Sequence, residues 1–108
     1  MSVPEITVDE LARLVDVSSN VRLIDVREDS EYEIGHVPGA VHIPLGHIVD
    51  RAGELLDGPW HMICRSGARS MKACEQLAPL GIDVTNVAGG TEGWIDAGYA
   101  VDQGAFEA

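Results

Sequence analysis

The segment Cys64-Arg65-Ser66-Gly67-Ala68-Arg69-Ser70 places a thiol, two guanidinium groups, two hydroxyls and a glycine within one short stretch. If a strand delivers Cys64 and a helix opens just beyond it, the intervening loop wraps behind the sulfur and several backbone N–H groups converge there. Such a cradle favours the thiolate. Helix N-terminal dipoles and nearby cations hold reactive cysteines at pKa values of roughly 3.5–7.5, against about 8.5 for a free thiol. The spacing therefore predicts a thiol that is largely ionised at neutral pH. Arg65, Arg69 and Lys72 are three of the seven basic residues, and no acid interrupts 64–72. On a chain of formal net charge −11 this run reverses the local sign. It suits a small anion that must meet a thiolate, as thiosulfate and related sulfur anions do. A buried cysteine beside a solvated basic turn is the commoner arrangement for a lone cysteine; the clustering of arginines, hydroxyls and glycine around this one argues for chemistry.

The flanking patterns predict the elements that hold this loop. Thr7 and Glu10 form a capping box before Val8, Leu11, Leu14 and Val15, which recur at helical spacing, and a short extended start at Glu5-Ile6 precedes them. The run 21–26 reads as a buried strand, with Asp25 near its end and Arg27 leaving the sheet. Asp29 or Ser30 caps a short helix over 31–34 that Gly35 stops. A strand over 40–43 lies between Pro38 and Pro44, and 47–56 is predicted helical with Ile48, Ala52 and Leu55 on one face. The strand 60–63 delivers Cys64, and a helix runs from Arg69 or Ser70 to Leu80 with Met71, Cys74, Leu77 and Ala78 on its core face. The strand 83–87 leads through Gly89-Gly90 into a short helix carrying Trp94, Ile95 and Ala97, and the tail beyond is irregular. Strands alternating with helices imply an α/β fold with a mainly parallel sheet and helices on both faces. In such sheets ligands bind outside the carboxyl ends of the strands, where Asp25-Val26-Arg27, Cys64 to Ser70 and Gly89-Gly90 all fall.

Composition excludes several classes. At 108 residues the chain fits a single domain, 1–108, with one compact core. A hydrophobic fraction of 45% and a charged fraction of 23% describe a globular chain. The acidic balance would repel phosphodiester backbones and anionic headgroups, so neither nucleic acid nor a membrane is an expected partner. The start Met1-Ser2-Val3-Pro4-Glu5 lacks the basic and apolar regions of a secretory signal, and no apolar run is long enough to span a bilayer. The expected location is cytoplasmic, where Cys64 and Cys74 stay as thiols.

These motifs resemble, in order along nearly the whole chain, those of the single-domain rhodanese family. Leu23-Ile24-Asp25-Val26-Arg27 with Glu31-Tyr32, then Gly35-His36-Val37-Pro38-Gly39-Ala40 and His42-Ile43-Pro44, is similar to its N-terminal signature. Val87-Ala88-Gly89-Gly90-Thr91-Glu92-Gly93-Trp94 is similar to its C-terminal one. Three ordered motifs make chance similarity improbable. The resemblance implies a rhodanese-like five-stranded parallel sheet and a thiosulfate sulfurtransferase reaction through a Cys64 persulfide, with cyanide, a thiol or a protein as acceptor and no cofactor. It implies that the N–H groups of Ser66, Gly67, Ala68 and their neighbours hold the extra sulfur, that Arg65 and Arg69 orient the donor, and that Ser66 and Ser70 add hydroxyl donors.

Two rival readings are weighed against it. Cysteine phosphatases and arsenate reductases place an arginine after five intervening residues; here Ser70 stands there and Arg69 falls one residue early, giving a tighter cradle. The other is a rhodanese-like protein-binding or sulfur-relay module; the resemblance implies that members which only bind a partner usually lack the cysteine, so Cys64 counts against a pure binding module. Asp25 and Arg27 are expected to tie the sheet rim together, and His36 to hydrogen-bond its own turn. Trp94 and Met71 with Ile95 are expected to pack, with Trp94 also placed to wall one side of the site. Cys74 is expected in the core. His42, His47 and His61 show no ligand spacing, so no metal is expected.

Overall fold

The computed structural model describes residues 2–17 and 21–106; Met1, Glu107 and Ala108, at the ends of the expected 1–108 domain, lie outside them. Five strands, β1 (Glu5–Ile6), β2 (Leu23–Asp25), β3 (Val41–His42), β4 (Trp60–Ile63) and β5 (Val84–Val87), form one sheet in the order β1-β5-β4-β2-β3. Every pairing is parallel. The helices are α1 (Val8–Val17), α2 (Asp29–Ile34), α3 (Ala68–Leu77) and α4 (Gly90–Asp96).

Alternation along the strands sorts side chains into two layers. Ile24, Met62 and Val84 point to one face, where they meet Ala73, Cys74 and Leu77 of α3 and Ile48, Ala52 and Leu55. Leu23, Ile63 and Val87 point to the other, against Leu11 of α1, Tyr32 of α2 and Trp94 of α4. Helices thus cover both faces, which is why the strands carry near-continuous apolar runs. From β2 the chain winds outward to β3, and from β4 it winds the opposite way to β5. The carboxyl ends of β2 and β4 therefore flank a topological switch, and such a crevice is where open α/β sheets bind ligands.

Local chemistry sets the boundaries. The capping box forms as expected: Thr7 N–H donates to Glu10 Oε1 and Glu10 N–H to Thr7 Oγ1, both at 3.1 Å. The helix before Gly35 starts earlier than predicted, at Asp29, with Glu28 as its flanking residue. The predicted helix over 47–56 does not form; two 3₁₀ turns, Leu45–His47 and Ala52–Leu55, take its place. Gly46 and Gly53 sit within them, and their low helix propensity leaves the apolar spacing to be met by turns. Ile48, Ala52 and Leu55 still reach the core. The strand predicted over 40–43 shortens to two residues, and α3 ends at Leu77 in a 3₁₀ turn, Ala78–Leu80, that carries Pro79. Its buried face is Ser70, Ala73, Cys74 and Leu77, whereas Ala78 is exposed and Met71 half-buried. In the tail Asp102 bridges back to His36 through paired backbone hydrogen bonds of 2.9 Å. Among the described residues no helix is long and apolar enough to cross a membrane.

Candidate active site

Strand β4, in the middle of the sheet, ends at Ile63 and presents Cys64 in the switch crevice. Arg65, Ser66 and Gly67 turn the chain into α3. Gly67, the residue before the helix, has φ 107°, a left-handed conformation that glycine adopts without penalty. This turn aims the Gly67 N–H at Cys64 Sγ, 3.1 Å away, and the first turn of α3 brings the Ser70 hydroxyl to 3.3 Å from the same sulfur. Both Cys64 and Ser70 are buried. Burial pushes the Cys64 thiol up, but the Ser70 hydroxyl and the N–H groups of Ser70, Gly67 and Ser66 outweigh it and leave the thiol below its ordinary range. Hydrogen bonds to a charged form favour that form, so the loop is built around a thiolate. Cys74, on the same helix, is fully buried, and desolvation, with the charges of Glu5 and Glu75 adding to it, pushes it up to about 12. It is a core thiol.

The loop is held from the neighbouring strand ends. Thr91 N–H donates to Cys64 O at 2.8 Å and Glu92 N–H to Arg65 O at 2.9 Å. Asn86 on β5 donates through Nδ2 to Gly67 O at 3.1 Å and to Glu5 Oε2 at 2.8 Å. A methyl group at Gly90 would lie 2.5 Å from Arg65 O and 2.6 Å from Cys64 O, so only glycine lets the two turns approach this closely.

On the β2 side, Asp25 and Arg27 form a buried pair. Arg27 Nε donates to Asp25 Oδ1 and Oδ2 at 3.0 and 3.1 Å, while Nη2 donates to Oδ2 and to Gly35 O, each at 2.8 Å. The pair fastens the end of β2 to the turn after α2. His36 rests on the Tyr32 ring at 3.7 Å between centroids, its Nδ1 2.7 Å from Tyr32 O. His42 stacks on Tyr32 at 4.5 Å, with Nε2 2.8 Å from Arg27 O. Both histidines brace the rim.

The arginines differ from the sequence expectation. Arg69 donates through Nη1 and Nη2 to Glu31 Oε1 and Oε2 at 2.7 and 2.8 Å, and Arg65 Nε meets Glu92 Oε2 at 3.1 Å. The local excess of positive charge read from 64–72 is thus offset by carboxylates that the fold brings from α2 and α4. Trp94 does not wall this site: its Nε1 donates to Ala100 O at 2.9 Å, its ring tilts against Tyr99, and it lines a separate cavity beside α1. Ile95, expected to pack, is exposed and lines the cleft beside Arg65. Glu31, Thr91 and Glu92 stand in the sequence motifs without a part in the site, and Asn86 in none of them, because their partners are distant in the chain. Among the described residues no three His, Cys, Asp or Glu side chains gather to hold a metal.

Known proteins resemble the chain in sequence and in fold. A family model described as "Rhodanese-like domain" matches residues 7–97. "Putative sulfur carrier protein YrkF" of Bacillus subtilis is 41% identical over 95 residues, covering 86% of this chain and 51% of its own length; the chain thus spans about half of that relative. "Putative sulfurtransferase YtwF" of the same organism is 40% identical over 95 residues, covering 87% of this chain and 92% of the relative. The crystal structure of a rhodanese-like domain protein from Staphylococcus aureus superposes with a TM-score of 0.85 at 35% identity, covering 94% of this chain and 98% of that one.

Proposed function

Because the chain belongs to the rhodanese-like family, we propose that it is a sulfurtransferase that carries sulfur as a persulfide on Cys64. The observation that carries this reading is the convergence of the Gly67 N–H and the Ser70 hydroxyl on one buried sulfur whose thiolate is favoured. A thiolate held this way needs no separate general base, so His36, engaged with Tyr32, has no catalytic part. In the first half-reaction Cys64 Sγ attacks the outer sulfur of thiosulfate or of a persulfide donor. A new S–S bond forms, the donor's S–S bond breaks, and sulfite or a thiolate leaves with the bonding electrons. In the second, cyanide or a thiolate attacks the outer sulfur of the Cys64 persulfide and regenerates the thiolate. No net oxidation of the protein occurs.

The cradle donors take over the added charge as it moves to the outer sulfur. Arg65 is largely exposed and free to swing between Glu92 and an incoming anion. Arg69 is held by Glu31, which raises its pKa, and the thiolate charge of Cys64 raises it further. It therefore acts as a fixed cation at the loop. Ser70 occupies the position where a phosphatase loop has its arginine, and here its hydroxyl serves the sulfur. The reading places the reaction in one domain spanning the chain, with the donor and acceptor arriving at the β2/β4 crevice.

The test is intact mass after treating reduced protein with thiosulfate and removing the excess. The expected result is one added sulfur atom, lost again with dithiothreitol and absent from Cys64→Ser. A gain that persists in Cys64→Ser would overturn the assignment of the carrier. No gain from either thiosulfate or a low-molecular-weight persulfide would overturn the sulfurtransferase reading in favour of a binding module.

A further inference from the structure

Asn86 is a polar side chain on an apolar face. It lies on β5 two positions beyond Val84, so both side chains point to the side of the sheet on which α3 packs. It is only 1% exposed. Its two Nδ2 hydrogens are spent in different directions, one on Gly67 O at 3.1 Å and one on Glu5 Oε2 at 2.8 Å. Glu5 stands beside it on β1 in parallel register, so the carboxylate reaches the amide from the neighbouring strand. Oδ1, by contrast, is buried with no partner. An orphan buried acceptor lowers stability, so the worth of this amide to the molecule lies in what its Nδ2 holds.

What it holds is one peptide plane. Gly67 O already accepts the Met71 N–H at 3.1 Å, in the first turn of α3, so Asn86 is not needed to satisfy that oxygen. The second bond fixes the rotation of the plane instead. The Gly67–Ala68 peptide is trans, and a trans plane points its N–H opposite to its carbonyl. The carbonyl runs into α3, so the N–H of Ala68, the first residue of that helix, points out of its N-terminus with the other free donors there. Cys64 Sγ lies at that end, bonded by the Gly67 N–H and the Ser70 hydroxyl. Those two, with the N–H groups of Ser66 and Ser70, favour the resting thiolate. The Ala68 N–H is left for an atom one bond further out.

We propose that Asn86 is a positioning residue for sulfur transfer: its amide, aimed by Glu5, holds the Gly67–Ala68 peptide so that the Ala68 N–H faces the outer sulfur of a Cys64 persulfide. The proposal rests on the sulfurtransferase reading and deepens it. Asn86 touches neither sulfur and acts only through the plane it fixes. The Glu5 carboxylate makes its bond to Nδ2 charge-assisted, and a polarised amide donates more strongly through its other hydrogen as well. The edge strand β1 thus reaches the site through two hydrogen bonds. Because the resting thiolate has its own donors, Asn86 acts on the loaded state and not on the ionisation of the empty cysteine.

The test compares two readouts on the full chain in Asn86→Leu, which removes the donor and the orphan acceptor together while Gly67 O keeps its bond from Met71. Asn86→Ala removes the donor without added bulk and serves where leucine does not fit. The first readout is the ultraviolet titration of the Cys64 thiolate, expected to match the parent. The second is the loading equilibrium, in which persulfide and sulfite exchange with thiolate and thiosulfate, read by intact mass across a series of thiosulfate-to-sulfite ratios. It is expected to shift towards unloaded protein by roughly fivefold, a fraction of what a full hydrogen bond to a charged group is worth. Glu5→Ala is expected to shift it the same way by less; a parent value there would remove Glu5 from the proposal. An unchanged equilibrium in Asn86→Leu, or a thiolate titration that moves along with it, would overturn the assignment of Asn86 to the loaded state. If the parent loads and the variant loads equally, only the positioning role fails. If the parent itself takes up no sulfur from thiosulfate or from a low-molecular-weight persulfide, the sulfurtransferase reading fails and the proposal with it.

Discussion

Glu31 grips Arg69 across 38 positions of sequence, each carboxylate oxygen accepting from a separate Nη at 2.7 and 2.8 Å. The same carboxylate accepts the Glu28 N–H at 3.2 Å. One side chain therefore caps the start of α2, which follows β2, and clamps the first turn of α3, which follows β4. These two helices leave the sheet on opposite faces of the switch crevice, and the ion pair ties them across it. Two-point pairing of this kind fixes orientation as well as distance. It also sets a carboxylate beside the Cys64 loop, which on the proposed sulfurtransferase reading bears on the charge of the donor.

Replacing Glu31 with Gln keeps the shape and removes the charge. Arg69 is then no longer neutralised, and the KM for thiosulfate, a dianion, is expected to fall roughly twofold or more. A rise in KM would instead mean that holding Arg69 in place matters more than neutralising it. The pair also makes stability depend on pH. The Arg69 guanidinium holds the Glu31 carboxyl at about 2, down from 4.5. A depressed carboxylate stabilises the fold above its unfolded pKa, and that contribution is lost as pH falls from about 4.5 towards 2. Both side chains are about one-third exposed, so the contribution is under about 1 kcal/mol. Denaturant midpoints should show Glu31→Gln slightly less stable than the parent at neutral pH, with the difference closing in acid.

Ser70→Ala removes the hydroxyl donor from Cys64 Sγ without disturbing the buried packing. Because that bond favours the thiolate, its loss raises the thiol pKa. On the sulfurtransferase reading transfer requires the thiolate, so the acidic limb of the rate profile moves to higher pH. Ultraviolet titration of the thiolate should move by the same amount. A variant with lowered rate but an unmoved limb would show that Ser70 acts on the transferred sulfur and not on the ionisation of Cys64.

The two cysteines should separate cleanly in alkylation. Both are buried, but Cys64 sits at the loop with its thiol below the ordinary range, while Cys74 on α3 is pushed up to about 12. Iodoacetamide at pH 8 is expected to modify Cys64 first and to leave Cys74 intact until the fold is denatured. Mass mapping of the modified peptide checks this. Prior loading with sulfur should change the adduct on Cys64 and leave Cys74 untouched.

The parts of this molecule that were legible in sequence are those fixed by near neighbours. The capping box at Thr7 and Glu10, the apolar run Trp60–Ile63 and the thiol loop after it each carry their determinants within a few positions. The predicted parallel α/β architecture followed from alternation of such units, and the sheet agrees with it. What the sequence hid depends on tertiary approach. Nothing local links Arg69 to Glu31, Arg65 to Glu92, or Gly67 to Asn86. The helix expected over 47–56 failed for another reason: its apolar positions recur at helical spacing, but Gly53 within it weakens the helix and the core accepts those side chains from 3₁₀ turns equally well. Ile95 shows the converse, an apolar residue on a helix that the fold leaves facing a cleft.

The approach of the two glycine-rich turns gives a paired prediction. Gly89 and Gly90 both have positive φ, 86° and 60°, so alanine at either site strains the backbone by roughly 1–2 kcal/mol. Only at Gly90 does the added carbon strike other atoms, the carbonyl oxygens of Arg65 and Cys64 at 2.5 and 2.6 Å. At Gly89 the nearest neighbours are Val8 Cγ1 at 3.9 Å and Gly93 Cα at 4.0 Å, an ordinary contact. Gly90→Ala must therefore also push the β4–α3 loop away, adding about 1–3 kcal/mol of overpacking. The carbonyls it strikes are those that accept the Thr91 and Glu92 N–H groups, so the displacement is passed to the loop holding the sulfur. Urea midpoints should rank the parent above Gly89→Ala and Gly89→Ala above Gly90→Ala. Persulfide loading, measured where both variants are fully folded, should be near normal in Gly89→Ala and strongly slowed in Gly90→Ala. Equal loading by the two would mean that the cradle keeps its geometry without this close approach, and that Gly90 serves only the turn.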